Sequence, residues 1–154
     1  MTRVLLVTGS RALVGSPYEE RAKMMLAEHI ERLCPSLVVA GDAPGPDSWA
    51  IDQAAAIYAS TRIYGLDGLV RGASGTVFQA WDPRSSWPAP TRSNPLDRNA
   101  AMVRDVAELR AKGAHVEVLW LEAAWSATKG TAHTLAKARA AGLEITRIVF
   151  ERGK

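Results

Sequence analysis

The sequence predicts an α/β fold in which a mostly parallel sheet is flanked by helices on both faces. Three observations carry that expectation. Short continuous apolar runs recur, as in Val4-Leu5-Leu6-Val7 and Leu37-Val38-Val39-Ala40. Such runs mark strands buried on both faces. Segments with apolar residues at helical spacing stand between them. Strand and helix alternate, and a chain that alternates in this way forms parallel strand pairs through helical crossovers.

The elements follow in order. Val4–Val7 is the first strand. Ser16 then caps a helix, with Pro17 at its first position and Glu19 three residues after the cap. Ala22, Met25, Leu26, Ile30 and Leu33 form its apolar face, and Pro35 ends it. Leu37–Ala40 is the second strand, and residues 41–47, Gly-Asp-Ala-Pro-Gly-Pro-Asp, make a tight loop. An alanine-rich helix runs from about Asp47 to Tyr58, and Thr61–Tyr64 is the third strand. Residues 65–96 read as irregular, an insertion or lid over 66–96 with room for a strand at Thr76–Trp81. Pro83, Pro88, Pro90 and Pro95 make a loop of 82–96. A helix from about Leu96 to Ala111 follows, capped by Asn94 with Pro95 in its first turn. His115–Leu121 is a strand, Thr131–Ala141 a helix closed by Gly142, and Glu144–Phe150 the last strand. No repeat or linker divides residues 1–154, so a single domain is expected.

Bulk properties narrow the function classes. The chain has 154 residues, 47% hydrophobic and 23% charged, a globular balance. A domain of this length buries roughly 70% of its unfolded surface and folds without staples. Cys34 is the single cysteine, which excludes an internal disulfide and a cysteine metal cluster and fits a reducing cytoplasm. It reads as a packed or half-exposed thiol. No apolar segment reaches the length of a membrane span. The N-terminal run is too short for a signal peptide and reads as a strand. The expected location is therefore cytoplasmic, with no membrane partner. A net charge of +3 suits an anionic ligand but falls short of the basic stripe a nucleic-acid binder needs.

In parallel α/β sheets, ligands bind beyond the carboxyl ends of the strands, where loops meet helix N-termini. Four segments lie there. Thr8-Gly9-Ser10-Arg11 offers close backbone approach, hydroxyls and a guanidinium. Gly41-Asp42-Ala43-Pro44-Gly45-Pro46-Asp47 fixes an unusual backbone, with Asp47 as a helix cap. Arg98-Asn99 sets an arginine in a first helical turn, where partial positive charge already resides. An anion opposite it would remove the conflict. Thr128-Lys129-Gly130-Thr131 opens the last large helix with amides, hydroxyls and a lysine. Each has a plain reading as a turn, a cap or a solvated side chain. Together they bring Arg11, Arg98 and Lys129 to one sheet edge and predict a phosphate-bearing ligand.

Other patterns fail or stay structural. Gly9–Ser16 looks like a phosphate-binding P-loop but has five residues between its glycines and no lysine before Ser16. No GxGxxG follows the first strand. His29, His115 and His133 show no metal-ligand spacing, so no metal is expected. His29 and His115 read as structural or solvated, while His133, one turn into the last helix, can face the site. Trp81 and Trp87 flank the proline-rich loop and pin it to the core, with stacking on a base as the alternative, and Trp49, Trp120 and Trp125 pack.

VTGSR, GDAPGPDSWA, DRNAAMV and KGTAHTLAKARAAGLEI occur in this order. The set resembles the SLOG superfamily, most of all its small stand-alone bacterial and phage branch, over nearly the whole chain except 66–92. The resemblance implies a Rossmann-like three-layer sandwich that binds nucleotides or nucleotide-derived ligands. Relatives include the cytokinin-activating phosphoribohydrolases, the DNA-processing protein that loads recombinase on single strands, and ligand sensors in phage defence. The phosphoribohydrolases pair an R-K-x-x-M arginine with a P-G-G-x-G-T-x-x-E glutamate. Arg98 and Met102 match the first motif. Of the second, Gly130-Thr131 remain, Pro-Gly-Gly is missing, and His133 followed by Thr134 stands in place of the glutamate.

That departure bears on chemistry. N-glycoside cleavage passes through an oxocarbenium-like state that a carboxylate stabilises. A histidine can act as a base but supplies no fixed negative charge, and Asp42, Asp47 and Asp97 are weak substitutes. By resemblance, Gly9, Ser10, Arg11, Gly130 and Thr131 hold phosphate or ribose. Gly41, Gly45 and Asp47 shape the pocket, Asp47 taking a ribose hydroxyl, and Arg98 clamps a phosphate. Asp42, Asn99, Thr128 and Lys129 complete the ligand-binding set. Arg98 and His133 are the candidates for any catalysis, and the reading leans away from an enzyme. The expectation is a nucleotide-like ligand, no obligatory cofactor and a homodimer. Hydrolysis of a nucleoside monophosphate and single-stranded nucleic-acid binding are the alternatives.

Overall fold

A computed structural model describes residues 2–41, 43–64, 79–80, 95–126 and 129–151, without the side chains of 79–80, 95–97 and 129–131. The strands are β1 (Arg3–Gly9), β2 (Leu37–Gly41), β3 (Ser60–Tyr64), β4 (Gln79–Ala80), β5 (His115–Ala123) and β6 (Glu144–Phe150). The helices are α1 (Glu19–Leu33), α2 (Pro46–Ala56), α3 (Pro95–Ala111) and α4 (Lys129–Ala140), with a 3-10 turn at Arg11–Leu13. The strands form one sheet in the order β4-β3-β2-β1-β5-β6. Every pair is parallel.

The apolar runs dictate the layering. Successive side chains of a strand point to opposite faces. Leu5 and Val7 therefore join Leu26, Ile30 and Ala50 from α1 and α2 in one core. Val4 and Leu6 join Met102, Val103 and Val106 of α3 and Ala138 of α4 in the other. The chain moves outward from β1 to β4, then returns to place β5 on the other side of β1. The strand order thus reverses between β1 and β5, the position where open α/β sheets leave a crevice for ligands.

Several element ends differ from the sequence reading. Helix α1 starts at Glu19 with Tyr18 as N-cap and no side-chain cap. Ser16 instead accepts from the Tyr18 amide at 3.2 Å and donates to the Leu13 carbonyl. Glu19 accepts from the Gly15 amide, not from Ser16. Ser16 is thus tied back to the end of the 3-10 turn, and the helix starts downstream of it. Cys34 closes α1 in a left-handed conformation, φ 50, and is exposed rather than packed. Helix α2 is capped by the backbone of Gly45, φ 102, with Pro46 at its first turn; Asp47 is not its cap. Strand β5 extends to Ala123 because its pairing with β6 continues to Phe150. Helix α4 starts at Lys129, two residues earlier than expected. Of the strand expected at Thr76–Trp81, Gln79–Ala80 is present. The rest of the 66–94 insertion, with Asn94, Trp81 and Trp87, lies outside the described residues.

Trp120 is fully buried, and Trp49 and Trp125 pack at the edge of the α1 core. A buried polar contact ties β3 to α3: Tyr64 Oη donates to Asp105 Oδ2 at 2.7 Å. Arg104 Nε stands 3.5 Å from Asp105 Oδ1, an ion-pair distance without hydrogen-bond geometry. Burial pushes Asp105 up to about 6, against the opposing pull of Tyr64 and Arg104. Burial and the neighbouring carboxylate raise the Tyr64 phenol as well. Among the described residues, no helix is long and apolar enough to cross a membrane.

Candidate functional site

The carboxyl ends of β1 and β2 are closed by three glycines, each for a steric reason. A Cβ on Gly9 would lie 2.6 Å from the Leu121 carbonyl oxygen and 2.7 Å from Pro46 Cγ. Only glycine lets the end of β1 touch β5 and the start of α2 together. The Ser10 amide completes that junction, donating to the Leu121 carbonyl at 2.9 Å. Gly45 needs its positive φ, and a Cβ there would crowd Val14 Cγ2 at 3.3 Å and come into ordinary contact with Ser10 and Arg11. The loops after β1 and β2 therefore lock against each other.

Gly41 organises the centre. A Cβ there would sit 2.7 Å from Asp47 Oδ2 and 3.3 Å from Arg98 Cζ. A carboxylate from α2 and a guanidinium from α3 thus abut the same backbone point. Asp47 also accepts from the Ala43 amide at 3.2 Å, folding the loop back on itself. Arg98 Nε donates to Asn99 Oδ1 at 3.4 Å. Arg98, Asn99 and Asp47 are 8%, 8% and 7% exposed. A guanidinium so deeply covered needs compensation. The carboxylate against Gly41 supplies part of it, so Arg98 is anchored in the fold and not a free arm at a helix end.

The structure brings Gly9, Ser10, Arg11, Gly41, Gly45, Asp47, Arg98 and Asn99 to one edge. Their roles differ in detail from those read in sequence. Ser10 Oγ accepts from the Ala12 amide at 3.2 Å and caps the 3-10 turn. It is buried, so it shapes the loop instead of presenting its hydroxyl. Arg11 is exposed. Asp42 and Thr128 lie outside the described residues. Lys129, Gly130 and Thr131 form the first turn of α4 by backbone alone, so the lysine corner of the expected three-cation cluster also falls outside. His133 is half-buried, and its Nδ1 is buried with no hydrogen-bond partner. Counted from Gly130-Thr131, the glutamate of the phosphoribohydrolase motif falls at Thr134, one residue beyond His133. Thr134 is buried.

Sequence reasoning missed a flanking cavity. A space of about 480 Å³ opens between the loop after β1 and the end of β5, lined by Val14, Gly15, Ser16, Tyr18 and Trp125 among others. The Tyr18 and Trp125 ring centres are 5.6 Å apart. Tyr18 Oη also donates to the Glu151 carbonyl. An aromatic residue at a helix start and another past a strand end were the available signals, but nothing local joined them.

A parallel α/β sheet with glycine-shaped loops and a buried arginine at its carboxyl edge defines a Rossmann-like fold with a candidate ligand crevice. The fold is similar to that of DNA processing protein A from Streptococcus pneumoniae, with a TM-score of 0.62 and 17% identity over 99% of this chain. The match covers 51% of that protein, so the chain spans about half its length. The likeness bears out the parallel, Rossmann-like α/β fold expected from the sequence. No family model and no curated protein matches the chain in sequence.

Proposed function

We propose that this protein binds a nucleotide or nucleotide-derived, phosphate-bearing ligand at the carboxyl edge of β1, β2 and β5. One observation carries the reading. Gly41 is kept free of a side chain where Asp47 and Arg98 meet, at the strand-order reversal of a parallel sheet. A buried guanidinium in such a place holds a phosphate in two-pronged geometry, and a carboxylate beside it accepts ribose hydroxyls. Arg11 and the first turn of α4 add positive charge and free amides. A homodimer fits the same reading and is checked by light scattering.

Native mass spectrometry with a nucleotide panel tests it. The expected result is an intact nucleotide retained by the wild-type protein and lost in Arg98→Gln. Failure of every nucleotide to bind sinks the reading. Appearance of free base and ribose phosphate replaces it with hydrolysis, which the missing motif glutamate disfavours.

Single-stranded nucleic-acid binding is the second reading, favoured by the DNA-processing role that the fold neighbour's name states. It requires oligonucleotide affinity that falls steeply with salt. A flat salt dependence or no binding removes it.

A further inference from the structure

We propose that His115, Glu117 and Glu144 form a binding site for a divalent transition cation at the amino-terminal edge of the sheet. This is the edge opposite the proposed nucleotide crevice, and the inference stands independently of that reading. The three residues each offer a donor atom, and these atoms lie within 4.8 Å of one another. His115 Nε2 and Glu117 Oε2 are 3.7 Å apart.

The backbone explains the cluster. His115 and Glu117 are two apart on β5, so they point to the same face. Parallel register places Glu144 of β6 beside Glu117. Two carboxylates facing each other across neighbouring strands repel, and a cation between them reverses that cost. The chemistry of the set selects the ion. One imidazole and two carboxylates neutralise a dication and suit zinc and its neighbours. Calcium asks for six or more oxygen ligands, which this cluster lacks. Zinc with bonds of about 2.0–2.2 Å holds its donors roughly 3.4 Å apart. His115 and Glu117 are already close to that spacing. Glu144 is exposed and reaches it by side-chain rotation.

A second observation points to the same place. His29 Nε2 is buried with no hydrogen-bond partner. His29, His115 and Glu117 line one cavity of about 360 Å³, together with Arg3, Arg32 and Leu33. The orphan nitrogen borders the same cavity as the three-donor cluster, without belonging to it. His29 Nδ1 faces Arg32 Nη2 at 3.3 Å. Arg3 is engaged elsewhere, donating to the Leu33 carbonyl. The competing explanation is a plain His115–Glu117 ion pair with Glu144 solvated.

Isothermal titration of the full chain with zinc chloride decides between them. Cobalt absorption reports the coordination geometry, and thermal melting of the metal-free proteins reports the fold. One saturable equivalent is expected, weakened about tenfold or more in His115→Gln and in Glu144→Gln. Glu144 is exposed and Glu144→Gln relieves its repulsion with Glu117, so the metal-free melting temperature does not fall. Cys34→Ser, which removes the exposed thiol, leaves binding unchanged. Arg32→Ala tightens binding by removing a cation from the cavity wall. No saturable binding overturns the site. So does binding that survives His115→Gln and Glu144→Gln, or that depends on Cys34.

Discussion

Arg98 shows how a local anomaly resolves at the residue scale. An arginine in a first helical turn is unfavourable in isolation, and its burial beside Asp47 against Gly41 makes it part of the fold. Arg98→Gln is therefore expected to weaken nucleotide binding and to lower stability by about 1–3 kcal/mol, since it leaves a buried carboxylate less compensated. Urea midpoints read beside ligand titrations check both effects. Gly41→Ala forces Asp47 or Arg98 to move and should cost about 1–3 kcal/mol together with ligand affinity. Gly113→Ala is the control. It has open space but φ 101, so it should lose about 1–2 kcal/mol by backbone strain alone and keep full affinity. Equal affinity in both variants would remove Gly41 from the site.

The order and kind of nearly all elements were readable, because apolar runs and helical spacing report burial directly. Element ends were less legible. Ser16 and Glu19 have the composition of a cap, yet Ser16 bonds to Leu13 and Tyr18, and Glu19 to Gly15. Asp47 sits where a cap belongs and instead folds back to Ala43. The link between β3 and α3 left no sequence signal, since Tyr64 and Asp105 are 41 positions apart. It carries a pH signature. The native state holds the Asp105 proton up to about 6, above the ordinary value of 3.8. Its contribution to stability is complete below pH 3.8 and is lost as pH rises through about 6. Asp105→Asn removes that slope. Between pH 5 and 7.5 the variant should gain about 1–2 kcal/mol relative to wild type, read from denaturant midpoints. A constant difference across that range would show that Asp105 is not the titrating group.

The sheet of the whole molecule presents two edges with different chemistry. The carboxyl edge gathers glycines, Asp47 and Arg98, and the amino edge gathers His115, Glu117 and Glu144. A nucleotide present at a hundred times its dissociation constant should raise stability by about 2.7 kcal/mol. Zinc should add its own increment independently, because the sites share no partners and distant effects are additive. Thermal melting with each ligand and with both tests this. Strong non-additivity would mean that the two edges communicate or that the ligands compete for one site.

Consecutive residues are enough to specify the layered α/β architecture, the strands and the short list of loop residues at the carboxyl edge. Burial pattern and turn chemistry are local properties, and they are written in consecutive residues. It takes the assembled fold to bring Asp47 and Arg98 together at Gly41, Tyr64 onto Asp105, and Glu144 beside Glu117. Those contacts depend on strand order and register across crossovers of tens of residues, which no local spacing encodes.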